Sequence, residues 1–290
     1  MAHILDGKAL AANQKPELQA KAQKLTRRLG RPPQLAVILV GDDAASEIYV
    51  GRKTKLCEEL GIQSVTHRLA AMTTAQELEK LIHQLNHNDQ IDGILLQLPL
   101  PGHIDRYHMI QSIDPAKDVD GLHPLNQGYL FQGQPRLVPC TPAGCIQLLQ
   151  SCCPDLTGRR VTVIGSSVLV GRPLAALLLH QGATVTLANS KTRQLTELTQ
   201  MSDIVISATG QPQLITADHI KEGAIVIDVG IIRVNGNLVG DVNFEQVAPK
   251  ASFITPVPGG VGPMTIINLM ANILKAAEER HHDAKASKSS

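Results

Sequence analysis

The stretch Val161-Thr-Val-Ile-Gly-Ser-Ser-Val-Leu-Val-Gly-Arg-Pro173 constrains this chain most. Residues 161–164 form a β-branched run, which reads as a buried parallel strand. Gly165 ends it, residues 166–171 turn, and Pro173 falls in the first turn of a helix, where a missing N–H is tolerated. The apolar residues 174–179 continue that helix. Strand, glycine turn and helix N-terminus together make an anion cradle, because free backbone N–H groups and the positive end of the helix dipole face the same point. The spacing is G-x-S-x-x-x-G-x-P, with Ser167 at the second glycine position of the dinucleotide fingerprint G-x-G-x-x-G. A plain strand-to-helix turn is the competing reading. Further strands over 184–187, 203–207 and 224–228, separated by helical patterns, favour a run of βαβ units.

The segment after the second of these strands bears on the cofactor. An NAD site usually carries an Asp or Glu there for the ribose 2′-hydroxyl. Here the residues are Asn189-Ser-Lys-Thr-Arg193: no acid, two cations and two hydroxyls. That favours a 2′-phosphate, hence NADP, with a solvated polar loop as the alternative.

Upstream, residues 9–29 are helical in pattern and are stopped by Arg31-Pro32-Pro33. Residues 34–40 form an apolar strand, 44–60 a helix with Gly61 as its cap, and 65–69 a strand. Thr74 and Glu77 fit a capping box that opens a helix to about Leu85. Residues 93–98 form another strand and 106–112 a short helix. The first α/β unit thus ends near residue 115. Residues 117–139 are polar and aperiodic and read as a connector, and a helix over 141–149 follows. Residues 258–263, Pro-Gly-Gly-Val-Gly-Pro, form a second glycine loop, and an amphipathic helix covers 264–279. Residues 281–290 read as a disordered tail.

The 290 residues suffice for two α/β domains. With 43% hydrophobic and 18% charged residues, the chain is globular rather than disordered. A formal net charge of +1 steers it toward neither nucleic acid nor an acidic membrane, and no Trp with three Tyr and three Phe makes a poor base-stacking surface. Five cysteines, an odd count with no C-x-x-C pair, suggest reduced thiols in the cytoplasm and no zinc site. No apolar run approaches the roughly 18 residues of a membrane span, and the N-terminus lacks the pattern of a secretion signal.

Several residues could carry chemistry. Tyr49 and Lys53 lie four apart on one helix face. A lysine held near neutral pH can act as a general base or acid, although such a pair is often a surface contact. Gln97 stands at the carboxyl end of an apolar strand, where open α/β sheets bind ligands. Lys117-Asp-Val-Asp-Gly121 brings two carboxylates, which turn formation would also explain. His83 and His87 share a helix face without a third ligand, so no metal is expected. Neither a phosphate-binding G-x-x-x-x-G-K-[ST] nor a G-x-S-x-G elbow occurs. Short-chain dehydrogenases also use a Tyr-x-x-x-Lys pair, but after their glycine turn; here the pair comes first.

The segments Tyr49-Val-Gly-Arg-Lys53, Gly93-Ile-Leu-Leu-Gln-Leu-Pro-Leu-Pro101, Lys117-Asp-Val-Asp-Gly-Leu-His-Pro124 and Pro139-Cys-Thr-Pro142 closely resemble one family. So do Gly165-Ser-Ser-Val-Leu-Val-Gly-Arg-Pro173, Ala224-Ile-Val-Ile-Asp-Val-Gly230 and Thr255-Pro-Val-Pro-Gly-Gly-Val-Gly-Pro-Met-Thr265. The family is the bifunctional methylenetetrahydrofolate dehydrogenase/methenyltetrahydrofolate cyclohydrolase of FolD type, and the resemblance runs from about residue 4 to 280.

This resemblance implies two α/β domains flanking a cleft, the second a Rossmann-type dinucleotide-binding domain with a parallel sheet. Residues 1–140 would form a folate-binding catalytic domain, completed by the helix over about 264–280, and residues 141–263 the NADP-binding domain. The implied chemistry is NADP-dependent oxidation of 5,10-methylenetetrahydrofolate to the 5,10-methenyl compound, then hydrolysis to 10-formyltetrahydrofolate, without a metal. By matching position, Lys53 would be the acid/base of hydrolysis, Tyr49 would position folate and orient the lysine, and Gln97 would bond the lysine. Asp120 would hold the pterin, while Leu98, Pro258, Gly259 and Gly260 would complete the folate contacts. Gly165, Ser166, Ser167, Gly171, Arg172, Pro173, Ser190, Lys191, Arg193 and Thr209 would contact the cofactor, with Ile231 meeting the nicotinamide through its backbone. A cytoplasmic homodimer is implied, without nucleic-acid or membrane partners. In two places the chain departs from the pattern: Ser166 stands where many relatives have Arg, leaving the 2′-phosphate to Ser190, Lys191 and Arg193, and Ile232 replaces a frequent Asn. A dehydrogenase without cyclohydrolase activity and a nucleotide-binding protein on an inactive scaffold are the alternatives.

Overall fold

The structure, a computed structural model, describes residues 2–286. In chain order the elements are β1 (His3–Ile4), α1 (Gly7–Leu29), β2 (Gln34–Val40), α2 (Ala44–Leu60), β3 (Gln63–Leu69), α3 (Ala75–Asn86), β4 (Gly93–Leu96), α4 (Arg106–Gln111), α5 (Pro124–Phe131) and α6 (Cys140–Cys152). They continue with β5 (Arg160–Ile164), α7 (Gly171–His180), β6 (Thr184–Ala188), α8 (Leu195–Gln200), β7 (Ile204–Ser207), β8 (Ile225–Asp228), β9 (Ile232–Val234), β10 (Asn237–Val239), α9 (Phe244–Val247), β11 (Phe253–Ile254) and α10 (Val261–Ala286).

Contacts divide the chain into two compact units. One is Gln14–Tyr129, Pro135–Val138 and the chain from Leu269 onward. Its sheet has the order β3-β2-β4, all parallel. β2 and β4 are buried along almost their whole length, which is why they read as continuous apolar runs. Their side chains Ala36, Ile38, Val40, Ile94 and Leu96 pack with Leu78, Ile82 and Leu85 of α3 and with Met109 and Ile110 of α4. α3 opens on the expected capping box, with Thr74 and Glu77 each satisfying the other's backbone N–H. α2 closes on Gly61 at φ 77°, a left-handed cap that costs glycine little.

The other unit comprises the chain start to Asn13, Leu130–Gln134 and Pro139–Asn268. Its six-stranded parallel sheet runs β1-β11-β8-β7-β5-β6. From β5 the chain steps out to β6 and then returns to β7 on the other side of β5. The sheet therefore has a switch point between β5 and β7, where ligands bind at the carboxyl ends of the strands. The expected strands over 161–164, 184–187, 203–207 and 224–228 are present to within a residue at each end.

Three features differ from the sequence reading. The segment read as a connector, 117–139, contains α5, eight residues whose weak amphipathicity hid the helical period. The first residues of the chain join the sheet of the nucleotide-type unit, because His3 and Ile4 pair with Phe253 and Ile254. The tail expected from residue 281 is helical as far as Ala286 as the end of α10, and its remaining residues lie outside the described ones.

Candidate functional site

In the unit built on β2, Lys53 lies on α2 one turn after Tyr49, and both are half-buried. Lys53 Nζ donates to Gln97 Oε1 at 2.9 Å. Gln97 follows β4 directly: its backbone N–H donates to Ile38 O (2.9 Å), and its Nε2 donates to Leu98 O (2.7 Å). Both ends of the amide are thus engaged, and the side chain holds one orientation toward the lysine.

Asp120 is placed by the segment before it. Ile94 N–H donates to Lys117 O (2.7 Å), and Asp118 bridges Ile94 in parallel, so this stretch runs beside β4. Gly93 permits that approach, since a Cβ there would stand 2.4 Å from Val119 Cγ1. Lys117 is fully buried, and its ammonium donates to Leu85 O (2.9 Å), Asn86 O (2.6 Å) and Asn88 O (2.9 Å) at the C-terminal end of α3. Burial, with Arg280 nearby, pulls its pKa down to about 8, so it remains charged at neutral pH. The Asp118 carboxylate accepts from the N–H groups of Leu122 (3.2 Å) and His123 (2.8 Å) and from Asn126 Nδ2 (2.9 Å). Burial raises its pKa against the pull of those donors. Asn272 of α10 donates to Val119 O at 2.9 Å. Asp118 is therefore the turn-forming carboxylate of the pair, while Asp120 stands half-exposed just beyond it.

In the other unit, Gly165 follows β5 at φ 107°, and a Cβ on it would lie 2.2 Å from Ala208 O. A Cβ on Gly171 would lie 1.7 Å from Gly165 O. Both positions demand glycine, and between them the turn is tied by Arg172 N–H to Ser167 O (3.0 Å), Val170 N–H to Ser167 Oγ (3.2 Å) and Arg172 Nε to Ser166 O (3.0 Å). α7 starts at Gly171 without a side-chain cap, with Pro173 in its first turn. The next strand end, after β6, is a turn in which Asn189 Oδ1 accepts from Lys191 N–H and Thr192 Oγ1 from Asn189 N–H, each at 2.9 Å. Ser190, Lys191 and Arg193 all face solvent there.

Thr209 lies past β7, and Ile231, 40% exposed, past β8. Pro258, Gly259 and Gly260 form a loop of this same unit that abuts the start of α1. Lys8 N–H donates to Gly259 O (3.1 Å), and a Cβ on Gly7 would stand 1.8 Å from Gly260 O.

The family model of the tetrahydrofolate dehydrogenase/cyclohydrolase catalytic domain matches residues 5–120, and that of the family's NAD(P)-binding domain matches residues 139–281. This chain belongs to the tetrahydrofolate dehydrogenase/cyclohydrolase family. A bifunctional protein FolD of Campylobacter curvus is 53% identical over 278 residues, 96% of each chain. The crystal structure of the Campylobacter jejuni FolD methylenetetrahydrofolate dehydrogenase/cyclohydrolase superposes with a TM-score of 0.94 at 50% identity, over 97% of this chain and 100% of that one. The Trypanosoma brucei FolD, crystallised with NADP and an inhibitor, superposes with a TM-score of 0.92 at 39% identity, over 96% of this chain and 98% of that one.

In this member of the family, two buried polar features escaped the sequence reading. One is the burial of Lys117, beside the carboxylate Asp118 that the turn reading did cover. The other is Asp228 with Asp241, both buried, Asp241 accepting from Thr209 N–H and Asp228 from Gly230 N–H. The available signal was a charged residue closing an otherwise apolar strand, as in Ile225-Val-Ile-Asp228.

Proposed function

We propose that the chain is a bifunctional one-carbon folate enzyme. It oxidises 5,10-methylenetetrahydrofolate to the 5,10-methenyl compound with NADP+ and then hydrolyses that compound to 10-formyltetrahydrofolate. The Lys53–Gln97 hydrogen bond carries this reading, because it fixes an amine at the carboxyl end of β4, close in the chain fold to the segment that carries Asp120.

The nucleotide-type unit fits a dinucleotide with an additional phosphate. Its glycine turn admits no side chain at two positions, α7 opens without a side-chain cap, and two cations and a hydroxyl face outward at the next strand end. When bound, NADP+ supplies the hydride acceptor. The chain's part in that step is alignment, since hydride transfer needs no protein proton donor. Gly165, Ser166, Ser167, Gly171, Arg172 and Pro173 would hold the pyrophosphate side, Ser190, Lys191 and Arg193 the 2′-phosphate, and Thr209 and Ile231 the nicotinamide side. Tyr49, Leu98 and Asp120 would hold the folate.

Hydrolysis does require a base. In its neutral form Lys53 accepts a proton from the water that attacks the methenyl carbon. It then returns that proton to the ring nitrogen as the bridging C–N bond breaks, while the hydroxyl gives up its remaining proton to solvent as the formyl C=O forms. Gln97 aims the amine, and its amide oxygen does so without fixing the positive charge as strongly as a carboxylate would. The unit carrying α2 would be the folate-binding catalytic domain and the unit carrying α7 the NADP-binding domain, in a cytoplasmic homodimer.

Replacing Lys53 by Met tests the assignment. Cyclohydrolase turnover should fall by about 100-fold or more, the scale of a lost acid/base group, while NADP+ reduction persists. Equal loss of both activities would refute the role given to Lys53. In the same assay, faster reduction with NAD+ than with NADP+ would overturn the phosphate site assigned to Ser190, Lys191 and Arg193. Light scattering on the purified protein tests the dimer.

A further inference from the structure

Asp228 and Asp241 are buried side by side, 3% and 0% exposed. Asp228 closes β8, and its carboxylate takes three backbone N–H groups: Oδ1 accepts from Gly230 and Asp241, and Oδ2 accepts from Val242, each at 2.9 Å. Asp241 uses one oxygen only. Its Oδ2 accepts from Ser207 Oγ (3.0 Å) and from Thr209 N–H (2.6 Å), while its buried Oδ1 has no hydrogen-bond partner among the described residues. Two glycines make room for the pair: a Cβ on Gly240 would lie 1.8 Å from Asp228 Oδ2, and one on Gly230 would lie 2.2 Å from Asp241 Oδ1. Three segments therefore meet on two carboxyl groups, namely 207–209 after β7, 228–231 after β8 and 240–242 after β10.

Burying two neighbouring carboxyls is unfavourable unless hydrogen bonds offset the hydration they lose, and here those bonds all go to the adjoining segments. What they hold is the backbone at the carboxyl ends of the neighbouring strands β7 and β8. We propose that Asp228 and Asp241 are positioning residues for hydride transfer, locking the Thr209 and Gly230–Ile231 backbone into the shape that receives the nicotinamide. This rests on the dehydrogenase reading above. Neither carboxyl touches substrate; each acts through the backbone it holds.

The donor count makes the pair asymmetric. Asn at 241 can put its carbonyl on Ser207 and Thr209 and its amide NH2 at the unpartnered Oδ1 position. Asn at 228 cannot do the equivalent, because both oxygens already accept N–H groups and an NH2 would face a donor.

Asp241→Ala, Asp241→Asn and Asp228→Asn should be assayed for NADP+ reduction, and separately for hydrolysis of methenyltetrahydrofolate supplied directly. Asp241→Ala and Asp228→Asn should lower kcat for reduction by about tenfold or more, with KM for NADP+ and folate changed by less than about threefold and hydrolysis by less than about twofold. Asp241→Asn should restore reduction to within about threefold of the parent. If Asp241→Asn is as poor as Asp241→Ala, if Asp228→Asn matches the parent, or if hydrolysis and reduction fall together, the proposal is overturned. Joint loss would mean that the pair only supports folding. Failure of the parent itself to reduce NADP+ would instead overturn the dehydrogenase reading.

Discussion

Lys117 and Asp228 are both buried ionisable groups that hold backbone. Lys117 spends its ammonium on three carbonyls at the end of α3, so replacing it by Met would strand those acceptors. A cost of about 3 kcal/mol is expected, read as a lower urea midpoint with an unchanged slope. For Asp228, burial and the Asp241 carboxylate push the pKa up from 3.8 to about 6, against the pull of three N–H donors. The folded state therefore holds a proton that the unfolded chain has released between those values. Stability from this group is fully present below about pH 4 and declines as pH rises through about 6, by up to roughly 3 kcal/mol. In Asp228→Asn that component is absent. The stability advantage of the parent over the variant should thus be larger at pH 4.5 than at pH 7, and a constant gap would contradict it.

Elements carry two further expectations. α7 can begin where it does only because residue 171 is glycine, with Gly165 O at 1.7 Å from where a Cβ would stand. Gly171→Ala should displace the helix start and weaken NADP+ binding by about tenfold or more, ~1.4 kcal/mol, by calorimetry, while hydrolysis of methenyltetrahydrofolate supplied directly changes little. The α3 capping box should contribute about 1 kcal/mol, lost in Thr74→Ala. Most elements were legible because their causes are local: β-branched runs for β2 and β5, Thr74 and Glu77 for the start of α3, Gly61 for the end of α2. Others were not. α5 has little amphipathic contrast, and its buried Asn126 donates to Pro115 O and Asp118 Oδ2, partners that its own pattern does not show. The β9–β10 hairpin passed unread although Asn235-Gly236 is a strong type I′ turn signal, with φ 50° and 84°.

At the scale of the molecule, each unit has its own buried core, one around β2 and β4 and one around β7 and β8. A ligand of one unit stabilises the chain only through the state that binds it. NADP+ at about a hundredfold its Kd should add ~2.7 kcal/mol of apparent stability. Amide exchange should slow first in β5, β7 and β8 and their following turns, rather than in β2 and β4. Uniform protection across both sheets would show that the two units unfold together.

The sequence by itself determined the α/β class, the parallel strands, the glycine turn at 165–171 and the candidate residues Tyr49, Lys53, Gln97 and Asp120. Each of these follows from propensity, spacing or a short motif, apart from the choice of Asp120 over Asp118, which the family resemblance supplied, and so depends on neighbours in the chain. Only the tertiary structure decided that His3 and Ile4 pair with Phe253 and Ile254, and that Lys117 caps α3. It also brought Asp228 and Asp241 onto the same backbone. These outcomes join residues distant in sequence, where a buried polar group is stable only if the fold delivers a partner, and no local pattern encodes which distant group that will be.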